Sequence, residues 1–546
     1  MNFFAARLFE RGTSEFRSKK KFIHERTIMN KYALISVSDK TGIVDFAKTL
    51  DKLGYQIIST GGTAKALKDA KIPYIPIQEI TGNPESFDGR MKTISFQVES
   101  ALLYDRKNPG HKKEAKALGI KQIDVVVCNL YPFEKTIAAT GVTYQEAIEK
   151  IDVGGPTMIR AAAKNGLVVA VDPKDYAEIA KTLQTSKLPP LFIRKLQAKA
   201  FAHLSFYDSQ IAMYFREQLD ETTFPEEITL PGRKLLDLRY GENPHQKGAV
   251  YARPNFLTPF QNLTKLWGRE LSLINLTDIN AGLSSIRLFQ EPAAVVIKHN
   301  SPSGVALGQT MAEALSRAIE ADPESAFGGI IVLNKPMDLK AAKIIGDFKD
   351  AKRGNMDIIA APAIAKDALT FLQKVRKSMG IYTFGDIPHK EDSWNLKSMD
   401  GGFVLQTADI GIAESFKEWQ VVTKKKPTKK QLEQMQIGWK FISKIRSNTI
   451  LVIDETLPMT RGIGSGQTSR VRSTRIALAE AGDKTKGGIL VSDSFFPFPD
   501  SVELAAKHGI KAIVQQGGSL KDQLSIDAAN EAGIPMVFTH RRAFWH

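Results

Sequence analysis

A chain of 546 residues exceeds what one hydrophobic core organises and reads as roughly two to four domains. Its 43% hydrophobic and 25% charged residues describe an ordinary globular protein, with no run of about 18 apolar residues to span a membrane. A single cysteine, Cys128, excludes an internal disulfide and argues against a thiolate metal cluster, as expected of a reducing, cytoplasmic compartment, while a formal charge of +16 spread along the whole chain favours anionic metabolites over nucleic acid.

Residues 1–28 are basic and lack the apolar periodicity of the rest of the chain. They hold no apolar core of about 7–15 residues, which excludes a secretory signal. Glu10, Glu15 and Glu25 count against a transit peptide, so a disordered tail or an upstream start before Met29 is expected. From Tyr32 strand and helix alternate. YALISV at 32–37 and YQIIST at 55–60 read as buried strands, IVDFAKTLDKLG and AKALKDAK as helices, and SDKTG and GGT as the turns between them. This rhythm specifies a doubly wound parallel α/β sheet, whose ligands sit beyond the carboxyl ends of the strands. Both turns fall there, where Ser38, Thr60, Gly61, Gly62 and Thr63 let backbone amides approach a phosphate and Lys40 adds charge. FDGRMKT at 87–93 offers Arg90 and Lys92 as an anion clamp. IDVVVCNLYPF at 123–133 is a strand ending in Asn129 and Tyr131, and IDVGGPTMIRAAAKN at 151–165 joins Asp152 and a Gly-Gly turn to a helix ending in Lys164.

These segments, SVSDKTG, STGGTAKAL, GRMKT, CNLYPF and IDVGGPTMIRAAAKN, resemble the inosine monophosphate (IMP) cyclohydrolase half of a bifunctional family. Its other activity is formyl transfer to aminoimidazole carboxamide ribonucleotide (AICAR). The resemblance implies a methylglyoxal synthase-like fold for the first half, with Lys92, Tyr131, Asp152 and Lys164 as catalytic residues and Lys164 as proton donor or acceptor. It also implies substrate contacts from Ser38, Asp39, Lys40, Thr60, Gly61, Gly62, Thr63, Arg90, Thr93 and Asn129. One stretch departs: the family follows Lys-Thr with His-Pro and then His-Gly-Gly, whereas residues 94–106 read ISFQVESALLYDR. Either ring closure proceeds without those histidines, which is the expectation, or this half is a non-catalytic phosphate sensor.

A boundary is expected between Asp220 and Lys234, where ETTFPEEITLPGRK breaks the helical pattern of residues 191–218, giving domains of 29–225 and 226–546. LRYGENPHQ comes next at 238–246. The run Ala293–Ile297 fits a buried strand that ends in Lys298, His299 and Asn300, and Ser301, Pro302, Ser303 and Gly304 do not easily continue it. A histidine there can take a proton near neutrality, and an adjacent lysine can stabilise developing negative charge. AFGG at 326–329 is a close-approach loop with an aromatic beside it, Asp357 enters an apolar run that requires a partner for it, and TKKKPTKK at 423–430 reads as a solvated linker. Asn448 stands at a strand start before a GIGSGQ turn, Ser469 and Arg470. No GxGxxG leads into a helix, which excludes a nicotinamide site. SDSFFPFPD at 492–500 is suited to clasping a flat ring.

The resemblance extends through these segments to His546. It implies two related cytidine deaminase-like subdomains in a formyltransferase region, with Lys298, His299 and Asn448 as catalytic residues. Arg239, Tyr240, Gly328, Asp357 and Arg470 would bind the ribonucleotide, and Val471, Phe495, Asp500, Ser519 and Arg542 the folate. 10-Formyltetrahydrofolate is the implied cosubstrate, no metal is expected, and the implied assembly is a homodimer.

Overall fold

In the computed structural model the described residues are 31–546 except 88, 186–187, 220–223, 257, 349–353 and 388–393, so the extension read over residues 1–28 lies outside them. Backbone packing divides the chain into two compact units, residues 1–231 and 232–546.

In the first unit five short apolar runs form a wholly parallel sheet of order β3-β2-β1-β4-β5. The strands are β1 (Lys31–Val37), β2 (Tyr55–Ser59), β3 (Ile75–Pro76), β4 (Ile123–Asn129) and β5 (Val168–Ala170). The intervening helices are α1 (Ile43–Lys52), α2 (Gly61–Asp69), α3 (Ile77–Thr81), α4 (Phe96–Leu103), α5 (Pro109–Ala117), α6 (Phe133–Ile137), α7 (Tyr144–Glu149) and α8 (Gly154–Lys164). The helices α9 (Tyr176–Leu183) and α10 (Pro190–Glu217) close the unit. Strands β1 and β4 are buried almost end to end, as a sheet covered on both faces requires. The order reverses between β1 and β4, so a crevice opens beyond their carboxyl ends. GGT at 61–63 is the first turn of α2 instead of a separate turn, which aims its free N–H groups at that crevice.

The second unit begins with a hairpin of β6 (Arg233–Asp237) and β7 (Ala249–Ala252), and then builds one topology twice. The first repeat uses β8 (Thr264–Trp267), α11 (Leu273–Ile286), β9 (Ala293–Lys298), β10 (Ser301–Leu307), α12 (Met311–Ala321), β11 (Ile330–Leu333), α13 (Leu339–Phe348), β12 (Ile358–Ala361), α14 (Lys366–Val375) and β13 (Gly380–Thr383). A separate hairpin, β14 (Trp394–Met399) and β15 (Gly402–Thr407), precedes the second repeat. That repeat uses β16 (Gln420–Val421), α15 (Lys429–Ile442), β17 (Ile450–Ile453), β18 (Thr460–Gly464), α16 (Arg470–Ala481), β19 (Ile489–Ser492), α17 (Asp500–Lys507), β20 (Ala512–Gln515), α18 (Asp522–Glu531) and β21 (Met536–Phe538). The sheet orders are β10-β9-β11-β12-β13-β8 and, read from its other edge, β18-β17-β19-β20-β21-β16. Strand directions also correspond: a leading antiparallel hairpin, an antiparallel step, two parallel pairs and an antiparallel edge.

Close approaches repeat as well. A Cβ on Gly282 of α11 would stand 2.5 Å from Val332 and 3.4 Å from Ile297, and one on Gly438 of α15 would stand 2.7 Å from Val491 and 2.9 Å from Ile453. One core collects the inner faces of both sheets, with Val295, Ile297 and Val332 from one, Leu451, Ile453 and Val491 from the other, and Trp439 and Phe441 of α15. The outer faces are covered by α12–α14 and by α16–α18.

Three sequence readings change here. Ser301–Gly304 do continue as strand, because the chain reverses at His299–Asn300 and returns as the edge strand β10, where Pro302 is tolerated. Gly462 and Gly464 lie within strand β18, not in a turn: a Cβ on either would stand 2.0 Å from a carbonyl of α16. TKKKPTKK is not a free linker, since Thr428 caps α15 and the Lys424 amide donates to Asn530 of α18.

Candidate functional site

At the carboxyl edge of the first sheet the loops after β1, β2 and β4 meet. Asn129 Oδ1 accepts the amides of Ser38 (2.7 Å) and Asp39 (2.8 Å), and its Nδ2 donates to Asp39 O, locking the Ser38–Lys40 turn to the end of β4. Thr63 Oγ1 exchanges hydrogen bonds with both backbone groups of Val37. The Thr60 hydroxyl is buried with no hydrogen-bond partner among the described residues. Over the start of α2 two ammonium groups converge: a Cβ on Gly61 would stand 2.8 Å from Lys92 Nζ, and one on Gly62 3.5 Å from Lys40 Nζ. Free helix amides, an unpartnered hydroxyl and two cations make an anion cradle.

The start of α8 borders the same edge. Asp152 Oδ1 accepts the Gly155 amide at 2.8 Å, and the Asp152 amide donates to the Tyr207 hydroxyl at 2.7 Å. Burial raises the Asp152 carboxyl above the ordinary carboxylate range, while the Gly155 and Tyr131 amides oppose the rise. Thr93 Oγ1 lies 2.6 Å from where a Gly154 Cβ would be, which brings the Arg90–Thr93 stretch to this edge. Arg90 itself is paired with Glu149, and Lys92 with Glu85 at 3.0 Å.

In the first repeat of the second unit, β9 ends in a two-residue hairpin tip, His299–Asn300, with both residues at positive φ (56° and 61°). Asp278 of α11 holds it from behind: its Oδ1 accepts the Asn300 amide at 2.6 Å. Burial raises the Asp278 carboxyl, and the Asn300 amide and the nearby His299 oppose the rise. Lys298 Nζ donates to Phe327 O at 3.0 Å, tying the tip to the Phe327–Gly329 loop. Gly328 has φ 72°, and Phe327 is half exposed beside it. Since β11 is antiparallel to β9 and parallel to β12, Gly328 and Asp357 stand at the same end as Lys298. Asp357 is paired with Arg269 at 2.8 Å. Arg269 O accepts the Tyr382 hydroxyl, whose pKa burial and then the Glu270 carboxylate raise to about 12 against the opposing charge of Arg239. Arg239 donates to the Tyr240 hydroxyl and stacks on its ring at 4.6 Å.

In the second repeat the polar cluster sits at the start of β17. Arg470, at the start of α16, is paired with the fully buried Asp493 and donates to Asn448 Oδ1 at 2.8 Å. Asp493 Oδ2 accepts from the Ser447 hydroxyl (2.6 Å) and the Thr449 amide (2.9 Å). Burial pushes its carboxyl up, and the Arg470 guanidinium and the Ser447 hydroxyl pull it down. Asn448 Nδ2 donates to Gln467 O at 2.9 Å, so the side chain is fixed at both atoms. A cleft of about 430 Å³ opens from Asn448 past Val471, Phe495, Phe498 and Asp500 to Arg542 and Phe544. Phe496 is turned into the core, so only part of the FFPF run faces the cleft. No group of three metal-binding side chains occurs among the described residues.

The two clusters face the same way. Strand β10 meets β18 edge to edge and antiparallel, through Ala306–Met459 and the Leu307 amide to Pro458 O. With β9 antiparallel to β10 and β17 antiparallel to β18, β9 and β17 run oppositely. The carboxyl end of β9 and the amino end of β17 therefore share one side of the joined sheets.

Residues 162–480 match the family model for the AICARFT/IMPCHase bienzyme, and residues 42–157 match the MGS-like domain. Curated relatives named bifunctional purine biosynthesis protein PurH match 95% of this chain and the whole of their own length. They include those of Acetivibrio thermocellus (45% identical), Thermoanaerobacter sp. (44%) and Oceanobacillus iheyensis (41%). The chain belongs to the AICARFT/IMPCHase bienzyme family. Its first unit therefore has the MGS-like fold expected of it.

Of the residues that family resemblance implies, the structure gathers Ser38, Asp39, Lys40, Thr60, Gly61, Gly62, Thr63, Lys92, Thr93, Asn129, Tyr131 and Asp152 at one edge of the first sheet. Lys164 is not among them. It ends α8, about 15 Å along the axis from Gly154 at 1.5 Å per residue, and Asn165 beside it donates to Leu102 and Tyr104 at the far end of α4. In the second unit Val471, Phe495, Asp500 and Arg542 border the bienzyme's cleft, whereas Ser519 caps the turn before α18 through Lys521 and Asp522 and does not line it. Arg470 faces inward onto Asp493 more than outward. Sequence reading missed Asp278, Arg269 and Asp493. Asp278 is a lone charge in an apolar helix and Asp493 one at a strand end, where the one available signal was that such a charge requires a partner, while Arg269, beside Glu270 just past β8, gave no such signal.

Proposed function

We propose that this bienzyme transfers the formyl group of 10-formyltetrahydrofolate to AICAR in its second unit and closes the formylated product to IMP in its first. The observation that carries the reading is the His299 tip, presented beside Lys298, Gly328 and Asp357 on the side of the joined sheets where Asn448 and the Phe495–Arg542 cleft also open. The amine of AICAR is weakly nucleophilic because its carboxamide withdraws electrons. As it attacks the formyl carbon, His299 accepts the amine proton and Lys298 stabilises the negative charge on the tetrahedral adduct. Collapse expels tetrahydrofolate. Arg239, Tyr240 and the Gly328 loop hold the ribonucleotide, and Phe495, Asp500 and Arg542 hold the folate.

For ring closure the carboxamide nitrogen attacks the formyl carbon and water leaves. The cradle of Lys40, Thr60 and the start of α2 takes the substrate phosphate, with Lys92, Tyr131 and Asp152 beside it. Lys164, at the opposite end of α8, takes no part. The altered stretch 94–106 forms α4, capped by Ser95, and carries Glu99, whose carboxyl is raised by burial. Ring closure proceeds without the histidines the family has there. The working form is a cytoplasmic homodimer that acts on small molecules, without nucleic acid, membrane or metal.

The test supplies AICAR and 10-formyltetrahydrofolate to the purified chain and follows tetrahydrofolate and IMP separately. Both should appear. Lys92→Ala should let formylated AICAR accumulate, whereas Lys164→Ala should not. Tetrahydrofolate without IMP in the unmodified protein would make the first unit a phosphate sensor.

A further inference from the structure

Asp278 lies outside the residues so far given a chemical role, yet the tip that carries His299 is built on it. Two consecutive non-glycine residues at positive φ are disfavoured, and hairpins of this kind ordinarily use glycine or asparagine at both positions. Only the second position here, Asn300, meets that preference. Asp278 offsets the difference from the neighbouring helix, accepting the Asn300 amide at 2.6 Å in a pocket that leaves 4% of the residue exposed. That bond fixes the backbone of the tip from which the imidazole projects.

The second repeat supplies an internal control. Gly282 and Gly438 occupy matching places on α11 and α15, each packed on a valine and an isoleucine of matching strands. Four residues earlier on each helix stand Asp278 and Gln434. Gln434 is fully buried, and its amide has no hydrogen-bond partner among the described residues. In that repeat β17 and β18 are joined by the longer loop of residues 454–459, which is organised from within: Asp454 Oδ1 accepts the amides of Thr456 and Leu457. The helix position thus carries an acid where the strand ends in His299, and a neutral, unpartnered amide where the strand end holds itself.

We infer that Asp278 is a positioning residue for formyl transfer, holding the left-handed His299–Asn300 tip so that the imidazole meets the AICAR amine. The inference rests on the reading of His299 as the proton acceptor, and the experiment separates the two. Steady-state formyl transfer is measured for His299→Ala, Asp278→Ala, Asp278→Asn and the double variant Asp278→Ala/Asn300→Gly. Asp278→Ala should lower kcat by about 30-fold or more with KM for AICAR within about threefold, because positioning acts on the transition state. Asp278→Asn, of equal size and with one acceptor kept, should lose less. Adding Asn300→Gly to Asp278→Ala should restore at least about fivefold of kcat, since glycine adopts positive φ freely. Near wild-type kcat in Asp278→Ala and Asp278→Asn, with His299→Ala inactive, would overturn the inference and leave the reading of His299 standing. Loss in Asp278→Ala that Asn300→Gly does not relieve would overturn it too, since Asp278 would then act other than through the tip. Normal transfer by His299→Ala would remove the reading beneath it.

Discussion

The two repeats of the second unit place an equivalent strand second in each of two equivalent sheets and then present their candidate residues at opposite ends of it. In the first, the proposed chemistry stands at the carboxyl end of β9, on a two-residue tip whose backbone is held from a helix by Asp278. In the second it stands before the amino end of β17, where Asn448 is fixed by Arg470 and Gln467, and the loop at the other end of β17 is tied up by Asp454 and Arg461. Because β9 and β17 run oppositely across the β10–β18 junction, opposite ends of equivalent strands become one side of the molecule. The repeated topology supplies the scaffold. The candidate residues follow the side of the joined sheets and not the strand position, so matching positions such as Asp278 and Gln434 differ.

The comparison breaks most severely at Asp493. Asp493→Ala removes the buried partner of Arg470 and the acceptor of two hydrogen bonds from the Ser447–Thr449 segment, and should destabilise the second unit by roughly 3–5 kcal/mol. Urea unfolding of the purified protein measures it, and an unchanged midpoint would mean that the cluster does not support the second repeat. His299→Ala comes next. Formyl transfer should slow by about 100-fold or more, the scale of a lost general base, while ring closure of supplied formylated AICAR continues at the normal rate. Near wild-type transfer would move the chemistry of the first repeat away from its tip.

Arg461 joins the repeats, pairing with Asp454 at 2.7 Å and with Glu320 of α12 at 3.1 Å. Arg461→Met should cost about 2 kcal/mol near neutrality, below the range for fully buried pairs because Glu320 is more than half exposed. Burial would raise both carboxyls, but the Leu457 and Thr456 amides and Arg461 hold Asp454 below its ordinary 3.8, and Arg461 and Lys484 hold Glu320 below its ordinary 4.5. Depressed native values stabilise the fold above the unfolded values, and this contribution is lost as pH falls through the native ones. The difference between wild type and Arg461→Met should therefore be constant from pH 7 to about 5 and shrink below about 4. A difference that grows in acid would reverse the assignment. The smallest effect belongs to Gln434→Leu, which replaces an unpartnered buried amide by an apolar side chain and should be neutral or stabilising by about 1 kcal/mol, with formyl transfer unaffected. A marked loss of stability would show that Gln434 has a role in the second repeat matching that of Asp278 in the first.

The sequence by itself determined the α/β class, the parallel sheet of the first unit and most of the segments that meet at the candidate sites. Short apolar runs of four to seven residues, rich in β-branched residues and flanked by polar or turn-forming ones, read as buried strands, as β1, β4, β9 and β17 are, and the polar residues at their ends fall where the loops are. Those are local facts, carried by period and punctuation. What only the tertiary structure decided is how distant pieces meet. A helix-ending lysine gives no sign in sequence of which edge of the sheet it reaches, yet the rise of α8 takes Lys164 away from Asp152. Gly462 and Gly464 read as a turn because their reason, the carbonyls of α16 packed against them, lies outside their own segment. Asp278, 21 residues before His299, reads as one polar residue in an apolar helix until the β9–β10 hairpin folds back over it and its carboxylate meets the Asn300 amide, which requires an acceptor. Hydrogen-bond partners and close approaches depend on long-range packing, which residue spacing does not encode.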